Sequence, residues 1–340
     1  MLTPKERLIK ALRCEKTDRV PCICPGGMMN MIVGDIMDIS SVKWPEAHSD
    51  CNMMAKLTLS MYENGGFENC GVPFCMTVEA EAMGAEVYMG TKYNEPRVVK
   101  YPIENITEWR TLKSINTESG RVKVVLDAIK ILTKENEDVP VIGNLIGPIS
   151  LASSLIEPMY YYKDLRKHPK ESHEFMEFVT ENLIEFGKAQ IDAGAQVIAI
   201  SDPSGTGEIL GPKLFREYAI PYLNKIVQDL KVYKDVEVII HICGRLQSIY
   251  KELNELKSNA ISFDSITNVK QVVENVEGKA IMGNISTLAL ENSDENIVFS
   301  MARKCIEDGI NILSPACGIG TKTKLKNIQS IVEATKDQRN

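Results

Sequence analysis

The hydrophobic positions of this chain fall into short, nearly continuous runs rich in Val and Ile, separated by longer amphipathic segments. Such runs are typical of parallel strands that are covered on both faces, whereas strands with one solvent-facing side alternate apolar and polar residues. The runs predict strands over residues 20–24, 85–89, 139–145, 196–201, 236–243, 260–264, 280–285 and 310–314.

The segments between these strands have the periodicity of helices; the segment 171–193, for example, is amphipathic and stops at Gly194. Strands that alternate with helices in this way favour an α/β fold, a (β/α)8 TIM barrel, which typically takes ~250 residues. An open doubly wound sheet is the rival, but no G-x-G-x-x-G follows the first predicted strand and no P-loop is present. We expect one domain over residues 1–340, with an N-terminal helical extension within residues 1–80.

The charge balance narrows the choice of partners. The chain carries 39 Lys and Arg against 46 Asp and Glu, a net charge of −7, which disfavours nucleic acid and anionic membranes. No stretch reaches the ~18 apolar residues of a membrane span, and the N-terminus lacks the apolar run of a signal peptide. We therefore expect a cytoplasmic protein whose nine cysteines are thiols or metal ligands and not disulfides.

In a TIM barrel, the residues that carry chemistry lie at the carboxyl ends of the strands. The predicted ends are unusually polar for positions that follow apolar runs, and they comprise Cys24, Asn144, Asp202, His241, Cys243, Asp264, Asn284 and Cys317. Asp202 can orient a ligand or cap a helix, and the sequence leaves both roles open. Glu79 and Glu81 precede the predicted strand 85–89, so either can approach the central cavity. The early methionines, Met29 among them, are expected to fill the core, with a docking surface as the alternative.

His241 and Cys243 form an H-x-C pair within a predicted strand. Residues two apart leave one face of a strand with their backbones about 6.6 Å apart, from which an imidazole and a thiolate can converge to ~2.0–2.3 Å from one Zn²⁺. Cys317 follows the last predicted strand, and the carboxyl end of that strand opens onto the central cavity of the barrel, as does the end of the strand that carries His241 and Cys243. Three protein ligands with an open fourth position are typical of catalytic zinc, whereas structural sites more often have paired C-x-x-C hooks.

The H-x-C pair by itself is a weak signal. Cysteine is a common small core residue, and a lone buried histidine usually finds a hydrogen bond, so the spacing leaves core packing open beside a metal site. Cys22 and Cys24 show the same alternation without a histidine, and we expect them to pack in the core, with a spare metal ligand as the alternative.

Several motifs together resemble one known family. H-I-C-G at 241–244, P-A-C-G at 315–318, W-P-E-A-H at 44–48 and E-A-M-G-A-E-V-Y-M-G-T-K at 81–92 are similar to the methylcobamide:coenzyme M methyltransferases of the uroporphyrinogen decarboxylase superfamily. The decarboxylase branch carries an essential aspartate nine residues before the glycine of A-M-G, where this chain has Cys75, and arginines after the first strand, where it has P-G-G-M-M-N. The departures at both places disfavour decarboxylase activity.

The resemblance implies a barrel of this superfamily in which His241, Cys243 and Cys317 bind Zn²⁺. It implies transfer of a methyl group from a methylated corrinoid, carried on a separate protein, to the thiol of coenzyme M. The polar residues expected to contact the substrate are Asn144, Ser201, Asp202 and Asn284. The alternatives are another acceptor such as tetrahydrofolate, decarboxylase-like activity, and a non-catalytic barrel that binds zinc or a corrinoid.

Overall fold

The computed structural model describes residues 1–336. Its strands are β1 (Cys70–Val72), β2 (Glu86–Tyr88), β3 (Arg97–Lys100), β4 (Val141–Ile146), β5 (Val197–Ser201), β6 (Glu237–Ile242), β7 (Ala260–Phe263), β8 (Ala280–Ile285) and β9 (Ile312–Pro315). Within this described range, seven of them form one parallel sheet in the order β1, β4, β5, β6, β7, β8, β9, while β2 and β3 form an antiparallel hairpin. Every residue of β4, β5, β6 and β8 is buried, as the continuous apolar runs predict.

Residues 20–24 close this sheet into a barrel. Cys22 forms a parallel bridge with Leu313 of β9, and the N–H of Ile23 donates to the carbonyl of Leu313 over 3.0 Å. On the other side, the carbonyl of Cys22 accepts from the N–H of Glu68, just before β1. The fold is therefore the predicted TIM barrel, although its first strand is reduced to a single bridge.

Two details of the predicted barrel are wrong. Residues 85–89 do not contribute a barrel strand; the hairpin strand β2 occupies part of that range, with its side chains half-buried or exposed. The barrel strand at that point of the chain is β1, which the sequence analysis missed. Its three residues include Gly71, where a Cβ would lie 1.9 Å from the carbonyl oxygen of Pro25, so packing and not apolar patterning selects this strand.

Helices surround the barrel and follow the expected alternation. Thr3 caps the first of them with a complete capping box, and the eighth ends at Gly194, whose φ of 117° is left-handed. The helices are α1 (Pro4–Leu12), α2 (Gly34–Ser40), α3 (Cys51–Glu63), α4 (Val78–Ala82), α5 (Gly120–Glu135), α6 (Pro148–Leu155), α7 (Pro158–Lys167), α8 (Pro169–Ala193), α9 (Gly207–Leu214), α10 (Ile220–Tyr233), α11 (Tyr250–Leu253), α12 (Val269–Asn275), α13 (Thr287–Asn292), α14 (Glu295–Glu307) and α15 (Leu325–Lys336). Helices α1 to α3 precede β1 and form the expected N-terminal extension. Among residues 1–336, no helix has the length and apolar character needed to cross a membrane.

Candidate metal centre

Three side chains that can ligate a metal meet at the carboxyl ends of two strands. His241 lies near the end of β6 and Cys243 directly after it, while Cys317 lies two residues after β9. One ligand atom from each of the three lies within 4.8 Å of the others, and residues 1–336 contain no second group of this kind. Because β7 and β8 separate the two strands in the sheet, the curvature of the barrel brings these residues together.

The imidazole of His241 is buried and is contacted at both nitrogens. Its Nε2 lies 3.1 Å from the Sγ of Cys243, and its Nδ1 lies 2.9 Å from the Oγ of Ser262. Ser201 of β5 and Ser262 of β7 are the register partners of His241 on either side, so these three side chains leave the sheet on one face. One ring nitrogen therefore faces the thiols, and the other faces β7.

The two neighbouring thiols have pKa values that are shifted in opposite directions. The interaction with Cys317 raises the pKa of Cys243, and burial adds to the rise. The contact with Cys243 lowers the pKa of Cys317, and the nearby imidazole of His241 and the backbone N–H of Gly318 act in the same direction, against the effect of burial. Cys317 is therefore the more acidic thiol of the pair.

This set of donor atoms fits a zinc ion. One imidazole nitrogen and two cysteine sulfurs are ligands that Zn²⁺ accepts in tetrahedral sites, whereas Mg²⁺ and Ca²⁺ require oxygen ligands. The hydrogen bond at Nδ1 of His241 is the contact that a metal-ligating histidine usually makes through its second nitrogen. Three protein ligands would leave a fourth position for a small molecule.

The candidate substrate residue Asn144 joins the barrel to the segment that follows residue 24. Its side-chain amide is buried and donates to the carbonyls of Pro25 over 2.8 Å and Val72 over 3.0 Å. The side chain of Asn144 packs so closely against Gly26 and Gly27 that a Cβ on either glycine would lie 2.9 Å from it. Its Oδ1 is buried without a partner in the described residues. A role in substrate binding stays a prediction.

Asn284 lies at the carboxyl end of β8 but contacts the loop after β7 and the helical layer. Its amide donates to the carbonyls of Asp264 and Thr267 over 3.1 and 2.8 Å, and its Oδ1 lies 3.8 Å from the Sγ of Cys305 in α14. The described contacts therefore do not bring this candidate substrate residue to the His241 and Cys243 pair.

The carboxylate of Asp202 lies at the N-terminus of α6. It accepts hydrogen bonds from the N–H and the hydroxyl of Ser150 over 2.8 and 2.6 Å, and from the N–H of Ile149 over 3.3 Å. Burial raises its pKa to about 6, although these hydrogen bonds oppose the shift. Of the two roles that the sequence leaves open, these contacts are those of a helix cap, on α6 and not on the following helix.

Two glutamates near the barrel mouth have raised pKa values. Glu79 is buried and accepts from the N–H of Ile146 at the end of β4 over 2.9 Å; burial raises its pKa to about 7. Glu95, in the segment between β2 and β3, has its pKa raised to about 8 by burial and then by the nearby thiols of Cys75 and Cys317. The sequence analysis missed Glu95, because its place near Cys317 depends on a hairpin that the apolar pattern does not reveal.

The sequence and the fold of this chain both match known proteins. The chain matches the family described as uroporphyrinogen decarboxylase (URO-D) over residues 3–338. It is 35% identical to a protein named methylcobamide:CoM methyltransferase MtbA of Methanosarcina acetivorans, in an alignment that covers 99% of this chain and 98% of the relative. The chain belongs to the uroporphyrinogen decarboxylase family, in its methylcobamide:CoM methyltransferase branch. The resemblance seen in the motifs is thereby confirmed.

Two further proteins show a similar level of sequence identity, and one of them has a solved structure. The methylcobamide:CoM methyltransferase MtaA of Methanosarcina barkeri is 32% identical, with 98% of this chain and 97% of the relative covered. A solved structure described as a methyltransferase from Methanosarcina mazei superposes with a TM-score of 0.92 at 31% identity and covers 99% of both chains. This superposition confirms the predicted barrel over nearly the whole length of the chain.

Proposed function

We propose that this protein is a zinc-dependent methyltransferase that moves a methyl group from a methylated corrinoid to the thiol of coenzyme M. The observation that carries this proposal is the convergence of His241, Cys243 and Cys317 within 4.8 Å at the carboxyl ends of β6 and β9. It is supported by the names of relatives that are 32–35% identical over their full length.

His241, Cys243 and Cys317 would hold the metal ion and leave one position open. When bound, Zn²⁺ would lower the pKa of the acceptor thiol so that it is held as a thiolate, the nucleophilic form of sulfur. The acceptor sulfur then forms the S–C bond as the Co–C bond breaks, and the electron pair of the broken bond stays on cobalt. No general base is required for the transfer itself.

Residues of the chain set the pKa values of the two cysteine ligands and pack beside them. Cys317 is the more acidic of the two thiols, and both must be thiolates to ligate the metal. The segment after residue 24 packs against the residue that follows Cys317, since a Cβ on Gly318 would lie 2.5 Å from the carbonyl oxygen of Met28. Cys243 and Cys317 both stay partly exposed, so a small thiol can approach the open position.

We also infer that a separate protein carries the methylated corrinoid and docks at the barrel mouth, and that the reaction is cytoplasmic. A transfer to tetrahydrofolate, a decarboxylase-like reaction and a non-catalytic barrel are the competing functions. Cys75 lies at the carboxyl side of β1, where the decarboxylase pattern has an acid, and it contacts the guanidinium of Arg121 over 3.3 Å. This difference favours the methyltransferase reaction over decarboxylation.

The test combines metal analysis with a spectroscopic assay. Purified protein is analysed for zinc and then mixed with methylcobalamin and coenzyme M, while the visible spectrum is followed for loss of methylcobalamin. We expect about one zinc ion per chain and a thiol-dependent spectral change. Cys243→Ala should lose both, whereas Cys305→Ala, which removes a buried thiol outside the centre, should keep both. Zinc-free wild-type protein with full activity would exclude the proposal.

A further inference from the structure

Ser262 and Met29 lie beside the candidate ligands, and the proposed function does not use them. The hydroxyl of Ser262 is 2.9 Å from Nδ1 of His241 and 3.6 Å from the Sδ of Met29. All three side chains are at most 1% exposed. The three atoms therefore form a closed polar contact in the interior of the barrel, where water cannot replace a missing partner.

The direction of these hydrogen bonds follows from the chemistry of the groups. A hydroxyl has one hydrogen to donate and lone pairs to accept, while a thioether sulfur accepts only. If the hydroxyl hydrogen of Ser262 points to Met29, its oxygen accepts from an N–H at Nδ1 of His241. The neutral imidazole then carries its lone pair on Nε2, the nitrogen that lies 3.1 Å from the Sγ of Cys243.

Two hydrogen bonds hold the backbone of Met29 in place. The thiol of Cys24 donates to the carbonyl of Met29 over 3.1 Å, and the N–H of Gly26 donates to the same carbonyl over 3.2 Å. Ser262 is held by its own strand, because it is paired in register with His241. Ser262, the partner of the imidazole, and Met29, the partner of Ser262, thus come from parts of the chain that are distant in sequence.

We propose that Ser262, backed by Met29, is a positioning residue that holds His241 in the tautomer and ring orientation needed to ligate the metal through Nε2. This inference rests on the proposed metal centre and goes beyond it, by naming the residues that prepare its one nitrogen ligand. Loss of a contact of this kind typically weakens metal binding by about 10–100-fold. Ser262→Ala should raise the Kd for Zn²⁺ by that factor.

The experiment measures the Kd for Zn²⁺ by competition with a coloured chelator. The variants are Ser262→Ala, the hydroxyl-keeping Ser262→Thr, and Met29→Leu, which keeps the volume but removes the sulfur. Ser172→Ala is the control, since Ser172 is a fully buried serine in α8. Thermal unfolding of each metal-free variant shows whether it folds, and the added stability on zinc binding gives a second measure of affinity.

We expect Ser262→Ala to bind zinc most weakly, Met29→Leu to lose less, and Ser262→Thr and Ser172→Ala to stay near wild type. Wild-type affinity in a folded Ser262→Ala would overturn the positioning role while leaving the metal centre intact. A Met29→Leu defect larger than that of Ser262→Ala would also overturn it. If the wild type itself binds no zinc, the proposed function fails, and that outcome is distinct from both.

Discussion

At the scale of single residues, the local pattern reveals ligands but not the groups that surround them. The H-x-C spacing is visible because two residues on one strand face are enough to predict that His241 and Cys243 converge. Ser262 could not be predicted, since its contact with His241 depends on the register between β6 and β7. Met29 contacts Ser262 from a segment without regular secondary structure. Such a segment has no hydrophobic periodicity from which the contact could be predicted.

Glu79 is a second residue whose behaviour depends on burial. Its pKa is about 7 in the folded protein against a usual 4.5, so the folded state holds the proton more tightly than the unfolded chain. Its contribution to stability is therefore fully present below pH 4.5, declines as the pH rises, and is lost above about pH 7. The loss amounts to about 3 kcal/mol at most.

Glu79→Gln should remove this pH dependence. The amide keeps an oxygen that can accept from the N–H of Ile146, yet it cannot ionise. We expect urea unfolding at pH 4.5 to give equal free energies of unfolding for the two proteins, and at pH 8 to give a higher value for the variant, by about 1–3 kcal/mol. An equal difference at both pH values would show that the ionisation of Glu79 is not the cause.

At the scale of elements, the helices and most barrel strands follow from the sequence, and the exceptions have physical reasons. Long apolar runs are visible because both faces of β4 to β8 are covered. β1 is too short to show a pattern, and it was missed. Residues 20–24 were predicted as a full strand, yet they form only one bridge, at Cys22, where the side chain of Glu68 adds a hydrogen bond to the backbone contacts.

The closing segment depends on Glu68, so we expect its replacement to be costly. This buried carboxylate accepts from the N–H of Cys22 over 3.0 Å and forms ion pairs with Arg7 and Arg19. Glu68→Gln leaves Arg19 without its counter-charge and Arg7 with Asp18 alone, which should lower the free energy of unfolding by about 3 kcal/mol. The matched control is Glu86→Gln, where the ion pair with Lys100 is exposed, and it should leave urea unfolding unchanged. Similar results for both variants would contradict this account.

The N-terminus of α6 allows the two readings of Asp202 to be separated. As a cap, Asp202→Ala leaves the N–H groups of Ile149 and Ser150 without their acceptor and should cost about 1–3 kcal/mol of stability, while Asp202→Asn, which keeps an oxygen, should cost less. Urea unfolding measures this difference. A raised KM for coenzyme M in a variant of unchanged stability would instead assign the carboxylate to the substrate.

At the scale of the whole molecule, the barrel explains why residues 76 positions apart in the chain can form one centre. His241 and Cys317 lie at the carboxyl ends of strands that the closed sheet directs to one mouth. The sequence predicts this convergence only through the fold, since no local motif links the two. A single domain over residues 1–340 stays a prediction, as do the acceptor and the partner.

Removing the metal tests whether the reaction depends on it, and a comparison of two acceptors tests which of them receives the methyl group. Protein treated with a chelator and then desalted should lose methylcobalamin-dependent methylation of coenzyme M, because the thiol, with a usual pKa near 8.5, is then mostly protonated at neutral pH. Adding Zn²⁺ back should restore the activity, and Mg²⁺ should not, since it disfavours sulfur ligands. The same preparations are assayed with tetrahydrofolate in place of coenzyme M. Product from the folate alone would exclude a thiol acceptor, and activity that survives complete zinc removal would exclude the role given to His241, Cys243 and Cys317.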